Sequence, residues 1–240
     1  MNEMKLSRLI LNPLSRGLAR AIADVQQVHR LVMAGFDSDA GPAARAQHRV
    51  LHRLEIDPRG GALVLYVQSV SEPDWSRLPA GALATVEERR NPEVRDLREL
   101  DLIAAGRVAR FRLRANPTRK IGTKSVDGRV QHGRRVPHRD DERCIEWLVR
   151  KGNNHGFELM RDAHGQLNVA LVREPVRRGR RGGSMITFEG VRFDGVLRIV
   201  DAEKFRVAVI NGIGSGKAYG FGLLSFAPLS SSATLAQGGA

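Results

Sequence analysis

The spacing of apolar residues divides the chain into two successive sets of elements. Residues 4–11 alternate well enough to predict a strand. Residues 15–36 place Leu18, Ile22, Val25, Val32 and Phe36 at helical spacing. Ser15 stands ahead of them as a cap for the first free N–H groups, so one helix is predicted. Residues 41–56 read as a loop and then a strand. A second strand, 60–70, follows the turn Asp57-Pro58-Arg59-Gly60-Gly61. Residues 72–79 predict a short helix or turn, and 81–89 a weak fourth strand.

A charged stretch, 93–106, reads as a linker. Beyond it, 107–117 predicts a strand with Val108, Phe111 and Leu113 set among arginines. Residues 118–138 read as a basic loop without order. Residues 139–152 predict an amphipathic helix with Cys144, Ile145, Trp147 and Leu148 on its apolar face. Strands at 166–176 and 184–200, a helix at 201–211 capped by Asp201 and a final strand at 221–226 complete the set. The order β-α-β-β-α-β thus occurs twice. The expected fold class is α+β: two tandem ferredoxin-like (RRM-like) domains, 1–92 and 107–228, with a frayed tail at 229–240.

Charge sharpens this picture. Lys plus Arg number 39 and Asp plus Glu 26, a net charge of +13. Such an excess points to a polyanionic partner, although a high-GC genome, which inflates arginine, produces the same bias. One cysteine, Cys144, excludes a disulfide framework and a multi-cysteine zinc site. No signal peptide is evident and no apolar run nears the ~18 residues of a membrane span, so a soluble cytoplasmic protein without membrane contact is expected. His48 and His52 have i, i+4 spacing, but their segment reads as a strand and no metal site is expected.

The most unusual segment holds five glycines and Lys217 between Gly212 and Gly222. It fails as a P-loop, because Asn211 replaces the first glycine and Ala218 the magnesium-binding hydroxyl. It fails as a dinucleotide fingerprint, because Lys217 occupies a required glycine position. No bound nucleotide and no other cofactor is expected. Two readings remain: a glycine-rich connection into a buried strand, or a loop whose N–H groups approach the backbone of a nucleic acid.

Six stretches together carry a family resemblance: "LSRLILNPLSR" (6–16), "VHR" (28–30), "EPDWS" (72–76), "RFRLRANP" (110–117), "FEGVRFDGVLRIVD" (188–201) and "GIGSGKAYGFGLLSFAP" (212–228). In this order the chain resembles the CasE family, the type I-E CRISPR precursor-RNA endoribonucleases. The resemblance implies two ferredoxin-like domains, binding of a CRISPR repeat RNA hairpin and metal-independent cleavage. It also implies that the mature crRNA stays bound alongside other Cascade protein subunits.

Metal-free RNA cleavage uses the 2′-hydroxyl as nucleophile, leaving a 2′,3′-cyclic phosphate and a 5′-hydroxyl. A base and an acid move the protons, and cations or N–H groups stabilise the transition state. The resemblance assigns catalysis to His29. It departs at Gln26, where the family often carries tyrosine, so Gln26, Arg30 and Lys217 are candidates for catalytic support. The arginines of 173–184, namely Arg173, Arg177, Arg178, Arg180 and Arg181, look like a basic turn between strands that could track stem phosphates or simply be solvated. Arg112, Arg114, Arg119, Lys120, Gly214, Ser215, Gly216 and Lys217 complete the expected RNA-binding set, and Lys124, Arg129, Arg134 and Arg135 are further possibilities. Few aromatics are present, so recognition of a folded stem by shape and phosphate is expected. Two functions stay open: the repeat-specific endoribonuclease, and a non-catalytic RNA-hairpin-binding subunit.

Overall fold

The computed structural model describes residues 4–37, 41–87, 90–122, 124–126, 129–131 and 133–229. His132, the tail from residue 230 and the side chains of Lys124, Arg129 and Arg134 lie outside the described set.

The N-terminal half runs β1 (Lys5–Leu11), α1 (Arg16–Ile22), α2 (Val25–Met33), α3 (Ala44–Gln47), β2 (Leu51–Ile56), β3 (Leu63–Ser69) and β4 (Glu93–Asp96). Its sheet is antiparallel in the order β2-β3-β1-β4. Ser15 caps α1 as expected, accepting from Leu18 N. The single helix predicted over 15–36 is two helices. Asp24 takes an extended backbone, φ −121° and ψ 120°, and its carboxylate accepts from Gln26 N at 2.7 Å and Gln27 N at 3.2 Å. A short carboxylate that caps the following turn ends the preceding one.

The fourth strand is also displaced. Residue 83 makes only an isolated bridge to Leu11. The Asn91 side chain occupies the edge of β1 instead: its Oδ1 accepts from Ile10 N at 2.9 Å and its Nδ2 donates to Ile10 O at 2.8 Å. Strand pairing therefore begins past Pro92, within the segment read as linker. The turn at 72–79 contains a 3-10 turn, Trp75–Arg77.

The C-terminal half is built around β5 (Val108–Ala115). Four short strands follow, β6 (Thr118–Ile121), β7 (Lys124–Val126), β8 (Arg129–Gln131) and β9 (Arg134–Pro137), and then α4 (Asp141–Asn154). β10 (Phe157–Leu159), β11 (Val169–Arg173), β12 (Arg177–Arg181), β13 (Ser184–Phe188), β14 (Val191–Ile199), α5 (Ala202–Asn211) and β15 (Leu224–Pro228) complete it. The main sheet orders β10-β14-β5-β15, with β11 also on β14. The stretch expected to be an unordered loop is a β-ribbon, β6 on β9 and β7 on β8. Val136 of β9 is β-branched, which favours the extended backbone.

Each half has its own core. Leu9, Val32, Leu65 and Val67 centre one; Leu113, Leu148, Phe157, Phe193 and Phe205 centre the other. The halves are joined by buried hydrogen bonds. Arg53 Nη1 donates to Leu223 O at 3.2 Å and Gln68 Nε2 to Val209 O at 2.9 Å, at the end of α5. Gln68 thereby satisfies a helix-terminal carbonyl that has no partner within its own helix.

Candidate active site

The N-terminus of α2 is where the halves meet around titratable side chains. β12 lies on α2, and Gly179 is the point of closest approach. A Cβ at Gly179 would sit 2.8 Å from Asp24 Oδ1 and 2.8 Å from a Val25 methyl. Only glycine allows strand and helix this close. The contact is completed by Arg180 N, which donates to Asp24 Oδ2 at 3.2 Å, and by Arg177 Nη1, which donates to Ile22 O at 3.4 Å.

One turn into α2 stands His29, half-buried. Its aromatic neighbour is Tyr219, at 6.2 Å between ring centroids and edge-on at 64°. Tyr219 belongs to the glycine segment of the other half. Gly216 and Gly220 flank it, both left-handed at φ 79° and 83°, and Tyr219 N donates to Gly216 O at 2.8 Å. These backbone angles turn the tyrosine back toward α2. Its Oη donates to Gln26 Oε1 at 3.3 Å, and its ring packs on Phe188 of β13 at 5.0 Å. Helix, hairpin and glycine segment thus share one aromatic contact.

Burial holds the His29 pKa below that of a free histidine, and the guanidiniums of Arg45, Arg181 and Arg30 add to the effect. The imidazole is accordingly neutral near neutral pH and able to accept a proton. His52 of β2 lies close by, fully buried, with Nε2 unpartnered among the described residues. Burial pushes its pKa down to about 3, with smaller contributions from His29, Arg114 and Arg45. His48 lies outside β2, where Nδ1 bonds Ser71 Oγ at 2.7 Å, so the His48–His52 spacing does not share one helix face.

The remaining sequence-predicted residues separate into groups. Arg178, Arg180 and Arg181 are exposed, but they lie within strand β12; the turn itself is at Gly182 and Gly183. Arg119 and Lys120 are exposed on β6. Arg30 is exposed in the last turn of α2. Arg112 and Arg114 depart from expectation, being engaged internally. Arg112 pairs with Asp194 and reaches Glu55 at 3.4 Å. Arg114 is buried against the Phe221 ring and paired with Glu174. Arg173 pairs with Asp141 and donates to Arg139 O at 2.7 Å. Gly214, Ser215, Gly216 and Lys217 form the glycine segment, but Lys217 is not among the cations that act on His29. It faces α4, and the last strand starts at Leu224 rather than at 221. Sequence reasoning missed Tyr219 and Arg45. The flanking glycines in G-K-A-Y-G were the available signal for Tyr219; Arg45 had none.

Comparison with known proteins agrees with this architecture. Residues 4–228 match the family model described as CRISPR associated protein. The chain is 31% identical over 232 residues to the CRISPR-associated endoribonuclease Cse3 of Thermus thermophilus, covering 94% of this chain and 100% of the relative. It is 37% identical over 122 residues to the Cascade subunit CasE of Escherichia coli, covering 50% and 57%. The structure of Thermus thermophilus Cse3 bound to an RNA representing a pre-cleavage complex superposes with a TM-score of 0.76 at 31% identity, over 94% of this chain and 100% of that one. The tandem ferredoxin-like fold read from the sequence is the fold of these relatives, and the chain belongs to the CRISPR-associated proteins of the CasE/Cse3 family.

Proposed function

We propose that the chain is a metal-independent endoribonuclease that cuts CRISPR repeat hairpins at one phosphodiester and then remains with the mature crRNA in a cytoplasmic Cascade complex. The observation that carries the reading is a neutral, half-buried His29 set against Tyr219 and ringed by arginines. Relatives named as an endoribonuclease and as a Cascade subunit support the substrate and the assembly.

In this mechanism His29 takes the proton of the 2′-hydroxyl beside the scissile phosphate. The freed oxygen forms a bond to phosphorus while the bond to the 5′-oxygen breaks. A 2′,3′-cyclic phosphate remains, and the departing oxygen takes up a proton from solvent as a 5′-hydroxyl. Arg45, Arg181 and Arg30 are the cations available to the charge that builds on the phosphoryl oxygens. Gln26 cannot titrate; it holds the Tyr219 hydroxyl.

The experiment is incubation of the protein with its repeat hairpin in EDTA. A single cut, slowed by about 10²-fold or more in His29→Ala with hairpin affinity unchanged, is expected. Binding without any cut would favour the non-catalytic subunit. A His29→Ala protein that cuts at the parental rate would remove His29 from the reaction.

A further inference from the structure

Beside the His29 site, Ser215 and Lys217 line a separate concave pocket of about 310 Å³ with Arg135, Arg150, Lys151 and His155. His29 and Tyr219 take no part in it, and no Asp or Glu lines it. None of its cations has an ion pair among the described residues. Ser215 Oγ is buried with no partner among the described residues. The backbone N–H groups of Gly214, Ser215 and Gly216 likewise find no acceptor among the described residues, and Gly214 and Gly216 are left-handed at φ 88° and 79°. Successive N–H groups in such a backbone make an anion-binding nest.

Placement of a lysine near a helix C-terminus accounts for Lys151 on its own, since it lies in the last turn of α4. It does not account for Lys217, brought in from another segment, or for the unsatisfied hydroxyl. Burial and mutual repulsion hold Lys151, Lys217 and His155 below their ordinary pKa values, so the arrangement stores charge repulsion that an anion would relieve. Lys151 Nζ sits over the Trp147 ring at 5.7 Å, but no carboxylate of the described residues lines the pocket to offset the charge.

We propose that this pocket binds a phosphodiester of an unpaired RNA stretch adjoining the stem. At about 310 Å³ the pocket is far smaller than a stem and would take only a small part of an RNA strand. Arg45 acts electrostatically on both His29 and Lys217, so the two places share a cation. The inference rests on the RNA-processing reading, and its test is a binding measurement that does not require cleavage.

The test uses the full chain carrying Arg150→Ala and Lys151→Ala together. Affinity is measured across salt for a bare stem and for stems extended by unpaired nucleotides on the 5′ or the 3′ side. One extended RNA is expected to lose about 1.4 units of log–log salt slope, from two single-strand contacts at ~0.7 each, while the bare stem is unchanged. An equal effect on stem and extended RNAs, or none on any, overturns the proposal. So does micromolar binding of inorganic phosphate or AMP by calorimetry, which would assign the pocket to a small effector. Cutting of the bare stem by the parental protein is scored separately. Loss of the unpaired contact in a protein that cuts nothing leaves the pocket standing and sinks the endoribonuclease.

Discussion

Tyr219 Oη lies 3.3 Å from Gln26 Oε1, a hydrogen bond between residues 193 positions apart that joins the glycine segment of one half to the His29 helix of the other. Because the Tyr219 ring also edges His29, the imidazole is positioned by a residue from the far end of the chain. Tyr219→Phe keeps the ring contact and removes the hydrogen bond. A fall of about 3- to 10-fold in the single-turnover rate is expected, the scale of one neutral hydrogen bond, with RNA affinity unchanged. Tyr219→Ala removes both contacts and should be slower again. Equal, parental rates in both variants would take Tyr219 out of the site.

A proton acceptor works only when unprotonated. With the His29 pKa lowered, the acidic limb of kcat/KM is expected below pH 6.5, and activity stays flat above it. Arg45→Ala removes the largest charge contribution to that lowering. Protonation becomes easier, so the limb should move up in pH. Movement in the opposite direction would show that another group controls the profile.

His52 supplies a stability prediction that is independent of RNA. Its pKa is about 3 when folded, against 6.5 for the free side chain. Below pH 6.5 the unfolded chain binds a proton that the folded one refuses, so stability present above that pH is lost as pH falls toward 3. Over the step from pH 7 to pH 5 the cost is about 2 kcal/mol, from ~1.4 kcal/mol per pH unit below the unfolded value. His52→Leu should show a smaller drop in urea-unfolding free energy over that step. An identical drop would mean that water reaches the buried ring.

The arginines of β12 should divide in their effects. Arg178→Ala, Arg180→Ala and Arg181→Ala combined should lower the salt slope of stem binding by about 2 units while the protein stays folded. Arg177→Ala should leave the slope alone and cost about 1 kcal/mol of stability, because its guanidinium is partly buried and bonded to Ile22 O. A slope unchanged in the triple variant would move the stem-binding face elsewhere, first to Arg119 and Lys120.

What the sequence disclosed follows from which interactions are local. Strands β1, β2, β3, β5 and β11 and the Ser15 and Asp201 caps were legible because apolar spacing and capping act within a few residues, whereas the single strand read over 184–200 is two, β13 and β14. The break at Asp24 was hidden, since the apolar spacing continues across it. The fourth strand was misplaced because the side chain of Asn91, not a backbone run, covers the edge at Ile10. His29 was singled out by resemblance, and the glycine segment by its own composition. Tyr219 was not, since its role depends on a tertiary contact that periodicity does not encode. The burial of Arg114 was hidden for the same reason: Glu174, the carboxylate paired with it, lies 60 residues away.

The separation of Gln26 and Tyr219 along the chain also has a meaning in time. Synthesis proceeds from the N-terminus at ~5–20 residues per second, so roughly 10–40 s pass between the making of α2 and of the segment that completes its surroundings. During that interval the nascent chain carries His29 without its aromatic neighbour. For that interval a ribonuclease built this way is incomplete while it is attached to the ribosome and the messenger RNA that encodes it.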